Sequence, residues 1–153
     1  MIINYGFDTI SADLRSVVTI GSFDGVHSGH KVLLATLKHM AKRLDAESVV
    51  VTFDPHPRIA MGRAEGMGLL TTIEERALLL EREGIDRMVV ARFDDNFRSQ
   101  PYDIFVRDML VAKLGMVGMI VGYNHRLGRG NEGNYESLMP LASECGFALE
   151  CVV

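Results

Sequence analysis

Near-continuous apolar runs recur along the chain at Ser16–Gly21, Ser48–Phe53, Arg87–Phe93, Val117–Gly122 and Ala148–Val153. A strand with one wet face alternates apolar and polar positions, whereas a strand covered on both faces need not. These five runs therefore predict a buried parallel sheet. Between them the period changes. Val32, Leu33, Leu37, Met40, Ala41 and Leu44 fall at helical spacing and predict a helix over Lys31–Leu44. Similar patterns predict helices over Ile73–Glu83, Tyr102–Leu114 and Glu136–Cys145. Strand and helix in alternation imply an α/β fold: a Rossmann-like, doubly wound, five-stranded parallel sheet with right-handed crossovers and helices on both faces.

The ends of the helices are marked. Thr72-Ile73-Glu74-Glu75 reads as a capping box, Gly84 as the stop of that helix and Gly115 as the stop of the next. Pro140 is out of place inside a helix, because it lacks the N–H and crowds the preceding turn; the last helix is expected to start late, near Ser137, or to kink. Two stretches fit no regular element: Asp54–Thr71, with two prolines and three glycines, and Tyr123–Asn134, with Gly128, Gly130 and Gly133. Each follows a strand directly. Ligands of open α/β sheets bind outside the carboxyl ends of the strands, so both stretches and the turn after Ile20 are expected at one rim.

A chain of 153 residues that is 48% hydrophobic suits one domain with a core of its own. Its 16 basic residues are scattered among 20 acidic ones, for a net charge of −4, which argues against nonspecific nucleic-acid binding. Cys145 and Cys151 form no CxxC pair and read as reduced thiols. The first residues, Met1–Asp8, lack the basic-then-apolar order of a leader, and no apolar run approaches the ~18 residues of a membrane span; a cytoplasmic protein is expected.

The chemistry concentrates where the first strand breaks. Gly21-Ser22-Phe23-Asp24-Gly25-Val26 leads into His27-Ser28-Gly29-His30 and then directly into a helix. Exposed N–H groups and the positive dipole end at a helix N-terminus attract phosphate, and two imidazoles three residues apart can converge on it while Gly29 leaves the backbone open. Two histidines without a third ligand make a poor zinc site, and the plain alternative is a pair of surface histidines in an ordinary turn. Nucleotidyl transfer would suit the arrangement. It crowds negative charge onto an α-phosphate and its leaving pyrophosphate, so aimed donors lower the barrier, with Arg126, Arg129 and a phosphate-bridging Mg²⁺ as candidates to share the task. In Phe53-Asp54-Pro55-His56-Pro57, two prolines flank a histidine beside an aromatic ring, which suits a planar ligand or simply stiffens a loop. Gly122–Gly130 combines glycines, Asn124 and two arginines after a strand, which suits a polar ligand or a solvated turn.

In order, Thr19–His30, Val51–Pro57, Leu70-Thr71-Thr72 and Val121–Gly128 resemble the successive motifs of the FMN adenylyltransferase (FAD synthetase) module of bacterial bifunctional riboflavin kinase/FAD synthetases, within the HxGH nucleotidyltransferase superfamily. The resemblance runs from about Val17 to Phe147. It implies adenylyl transfer from ATP to FMN, giving FAD and pyrophosphate with Mg²⁺ required. His27 and His30 would contact the ATP phosphates as the catalytic pair, with Gly21, Ser22, Phe23, Asp24, Gly25 and Gly29 lining the ATP site. Phe53, Pro55, His56, Pro57, Asn124, Arg126 and Leu127 would contact the flavin. Ser22 stands where the family commonly has Asn, and His125 and Leu127 stand where it prefers aromatic residues. The family also carries, after its last strand, a Ser/Thr-rich motif ending in Arg, and then a β-barrel riboflavin kinase domain. Neither is found in residues 1–153, so a single nucleotidyltransferase domain lacking its C-terminal end is expected, with the kinase domain as its partner in a longer chain. Two other readings stay open: a catalytically weak flavin- or nucleotide-binding module, and a nucleotidyltransferase with a different acceptor.

Overall fold

The computed structural model describes residues 1–23, 28–54, 71–122 and 134–152. Six strands, β1 (Ile2–Tyr5), β2 (Ser16–Ile20), β3 (Glu47–Asp54), β4 (Arg87–Arg92), β5 (Met116–Gly122) and β6 (Ala148–Val152), form one sheet in the order β1-β4-β3-β2-β5-β6. Every pair is parallel. The expected count of five is thus one short. The added strand is β1, which pairs Ile2 with Arg87 and Tyr5 with Val90 at the sheet edge. Ile2 and Tyr5 are 51% and 64% exposed, so the edge lacks the buried apolar run that marks the other strands.

Helix α1 (Ser28–Arg43) follows β2 and α2 (Ile73–Arg82) precedes β4. A short α3 (Asp95–Ser99) leads into α4, which is α-helical over Tyr102–Phe105, π-helical over Val106–Val111 and α-helical again over Ala112–Leu114. α5 (Tyr135–Cys145) joins β5 to β6. Successive strand residues point to opposite faces, and the core divides accordingly. Val17, Val50, Met88 and Ile120 pack with Leu34 and Leu37 of α1 and Leu80 of α2. Val18, Val49, Val89 and Met119 pack on the other face with Leu110 of α4 and Leu138 of α5. Both faces of the sheet are covered, which is why its strands can be apolar throughout.

The capping box holds: Thr72 Oγ1 accepts from the Glu75 N–H at 3.0 Å and Glu75 Oε1 accepts from the Thr72 N–H at 3.2 Å. The last helix departs from expectation. It starts early, at Tyr135, because Asn134 Oδ1 accepts from the Ser137 N–H at 2.9 Å and caps it. Pro140 stays inside that helix on an exposed position, so the N–H it lacks is missing on the solvent side, where water can serve the carbonyl of Glu136.

Successive strands step outward from β2 through β3 to β4, and the chain then returns to place β5 on the other side of β2. The gap beyond the carboxyl ends of β2 and β5 is the switch point of a doubly wound sheet.

Candidate functional site at the switch point

Three segments leave this rim: one from Ile20 at the end of β2, one from Asp54 at the end of β3 and one from Gly122 at the end of β5. Of the sequence-predicted residues, Gly21, Ser22, Phe23, Gly29, His30 and Phe53 are described, while Asp24, Gly25, His27, Pro55, His56, Pro57, Asn124, Arg126 and Leu127 lie outside the described residues.

The described start of the β2 turn is built around one ring. Gly21 extends the sheet by one bond, its N–H donating to Val51 O at 3.0 Å. Phe23 then takes φ 48°, the left-handed region that a bulky side chain rarely enters, and its ring is buried to 3% exposure. That ring folds back over Gly21, where an added Cβ would lie 2.8 Å from Phe23 Cε2. It also meets the His30 imidazole at a centroid separation of 4.9 Å and an interplanar angle of 41°. The left-handed backbone at Phe23 thus holds a wall against which a histidine of the first helical turn rests. Gly21→Ala is expected to move this ring and cost about 1–3 kcal/mol. A urea titration together with the His30 ring signals in NMR checks both effects.

At the end of β3, Phe53 is 8% exposed and packs edge-on against Phe93 at 5.6 Å and Phe97 at 5.3 Å. Phe93 and Phe97 are half-buried and follow β4, so the rim here has an aromatic floor to which the sequence reading contributed only Phe53. Their spacing of four residues across a helix start, with Asp94 Oδ1 accepting from the Phe97 N–H at 2.9 Å, is the signal that could have found them.

Beside the ends of β2 and β3 lies Arg76 of α2, 3% exposed. Its Nη1 donates to Thr52 Oγ1 at 2.7 Å and to Phe53 O at 3.2 Å, and its Nη2 donates to Thr71 O at 3.2 Å. Thr52 Oγ1 donates in turn to Ser22 O at 2.9 Å. No sequence signal marks this arginine, which follows two glutamates in an ordinary helix start. Among the described residues no group of three or more His, Cys, Asp or Glu is placed to hold a metal ion, and no helix is long and apolar enough to cross a membrane.

A doubly wound parallel sheet with Gly21 and Phe23 following β2 and His30 in the first turn of α1 defines an α/β protein of the class that binds ligands at its switch point. A model of one family, FAD synthetase, matches residues 9–153, and the chain belongs to that family. A protein of Geobacillus thermodenitrificans is 39% identical over 119 residues, covering 78% of this chain and 64% of that one. The bifunctional riboflavin kinase/FMN adenylyltransferase of Escherichia coli is 34% identical over 131 residues, covering 86% of this chain and 42% of that one. This chain thus spans between two fifths and two thirds of the length of these relatives. A crystal structure described as a macrolide-efflux protein from Streptococcus pneumoniae superposes with a TM-score of 0.81 at 22% identity, over 99% of this chain and 50% of that one, which shows the shared fold.

Proposed function

We propose that the chain is an FMN adenylyltransferase: it transfers the AMP moiety of ATP to FMN and releases pyrophosphate. The observation that carries this reading is membership of the FAD synthetase family over residues 9–153. The parallel strands β2, β3 and β5, whose carboxyl ends at Ile20, Asp54 and Gly122 open on one rim, support it. A phosphate oxygen of FMN attacks the α-phosphorus in line; the new P–O bond forms as the bond to the β-phosphate oxygen breaks, and pyrophosphate leaves with that electron pair. No side-chain nucleophile is required.

Within this reading His27 and His30, at the N-terminus of α1, hold charge on the α-phosphate and the leaving group. Gly21, Ser22, Phe23, Asp24, Gly25 and Gly29 surround the adenine nucleotide, and Phe53, Pro55, His56, Pro57, Asn124, Arg126 and Leu127 border the flavin. Mg²⁺ enters with ATP as part of the substrate. The ion prefers phosphate oxygens and water with one or two carboxylates, and the described residues form no cage for it. A cytoplasmic location fits the two free cysteines. Where a riboflavin kinase domain accompanies this one, as in the name of the E. coli relative, its product is the acceptor used here.

The test is incubation with FMN, ATP and Mg²⁺, with FAD followed by chromatography, beside a flavin-fluorescence titration. FAD formation is expected. Flavin binding without turnover would instead mark a binding module, and pyrophosphate release only with another phosphorylated acceptor would mark a transferase of different specificity.

A further inference from the structure

We infer that Arg76 is a positioning residue that holds the ATP side and the flavin side of the site in one frame. The inference rests on the function proposed above. The bond directions follow from the donors available. A guanidinium can only donate, so Thr52 Oγ1 must accept from Arg76, and its single proton is then committed to Ser22 O. One buried cation therefore fixes, through one hydroxyl, the residue that begins the turn toward His27 and His30. Two further bonds go to Phe53 O, where the segment carrying Pro55 and Pro57 begins, and to Thr71 O, just past where that segment ends. Thr52 is fully buried, so water does not replace the link when it is cut.

The fork matters more than the charge. Nη1 and Nη2 serve carbonyls on opposite sides of one segment, a division that a single ammonium cannot reproduce. A buried guanidinium is costly to desolvate, and a leucine would fill the same core position, so packing alone does not account for it. In-line transfer needs two separately bound substrates aligned, and a displacement of about 1 Å can lower the rate about a hundredfold.

The two arms can be cut separately. Thr52→Val keeps the volume and removes only the arm to Ser22; Arg76→Lys keeps the charge and loses the fork. In Thr52→Val, ATP affinity is expected to fall about tenfold, with FMN affinity, read by flavin fluorescence, within twofold of wild type. In Arg76→Lys both affinities fall, and Arg76→Met does not restore either. Amide exchange followed by NMR gives a readout without substrate: the Gly21 N–H, bonded to Val51 O, is expected to exchange at least tenfold faster in Thr52→Val and in Arg76→Lys. A purely structural role predicts that both ligands weaken in parallel with the melting temperature. Weakening of both ligands in parallel with the melting temperature in Thr52→Val, or unchanged Gly21 exchange in both variants, overturns the inference. Failure of the wild-type chain to bind either FMN or ATP overturns the proposed function, and the exchange data then judge the clamp alone.

Discussion

Replacing both imidazoles, His27→Ala with His30→Ala, is expected to lower kcat for FAD formation at least a hundredfold while KM for FMN changes only a few-fold. Removing one aimed donor to a developing oxyanion typically costs about a hundredfold to a thousandfold. Two donors that share one charge are not additive, so the double variant is expected to fall in the range of the stronger single variant or somewhat below it. His30 illustrates why the effect should be on the rate. It sits in the first turn of α1, against a Phe23 ring that an unusual backbone conformation fixes in place, so its approach to the rim is set before any ligand arrives. A donor aligned in advance stabilises the transition state without reorganising, and its loss appears in kcat. The flavin, bordered by other segments, should bind nearly as before. Initial rates at saturating FMN, with FAD measured by chromatography, decide the matter; full activity of the double variant would sink the mechanism.

How much of this could be read from the chain differs by element. β2 to β6 announce themselves because a strand covered on both faces leaves an unbroken apolar run, and each of the five lies within a residue or two of its expected limits. β1 does not, since four residues at an exposed edge carry no such pattern. Likewise α3 is one capped turn between longer elements, too short for periodicity. Pro140 misleads because a proline is judged by its place in the helix, and that depends on the Asn134 cap, three residues before the expected start at Ser137. At the site, glycines and histidines after a strand are a local signal and were legible. Thr52 and Arg76 were not. Their roles depend on β2, β3 and α2 meeting in space, and a charged residue on a helix start reads as surface until the fold buries it.

Gly115→Ala is expected to destabilise the fold by about 3 kcal/mol or more, which for a domain of this size lowers the melting temperature by roughly 6–12 °C. Gly115 ends α4 with φ 58° and ψ 42°, and an alanine held there carries a backbone penalty of about 1 kcal/mol. The larger part comes from what lies beside it. An added Cβ would sit 1.8 Å from Leu14 O and 2.9 Å from Leu14 C, both backbone atoms that no rotamer change can move. The crossing is held from both sides, since the Ser16 N–H donates to Gly115 O at 3.1 Å and Ser16 Oγ donates to Leu114 O at 2.7 Å. Relief therefore requires prising the entry to β2 from the entry to β5, the two strands that flank the switch point and already shift register between Ser16 and Val17. Gly146→Ala supplies the comparison: it too caps a helix with positive φ, at 79°, but has nothing within 4 Å of an added Cβ. Urea unfolding should give about 1 kcal/mol for Gly146→Ala and at least twice that excess again for Gly115→Ala. Equal losses would mean that the backbone conformation, and not the approach of Leu14 to the end of α4, is what requires glycine where β2 and β5 begin.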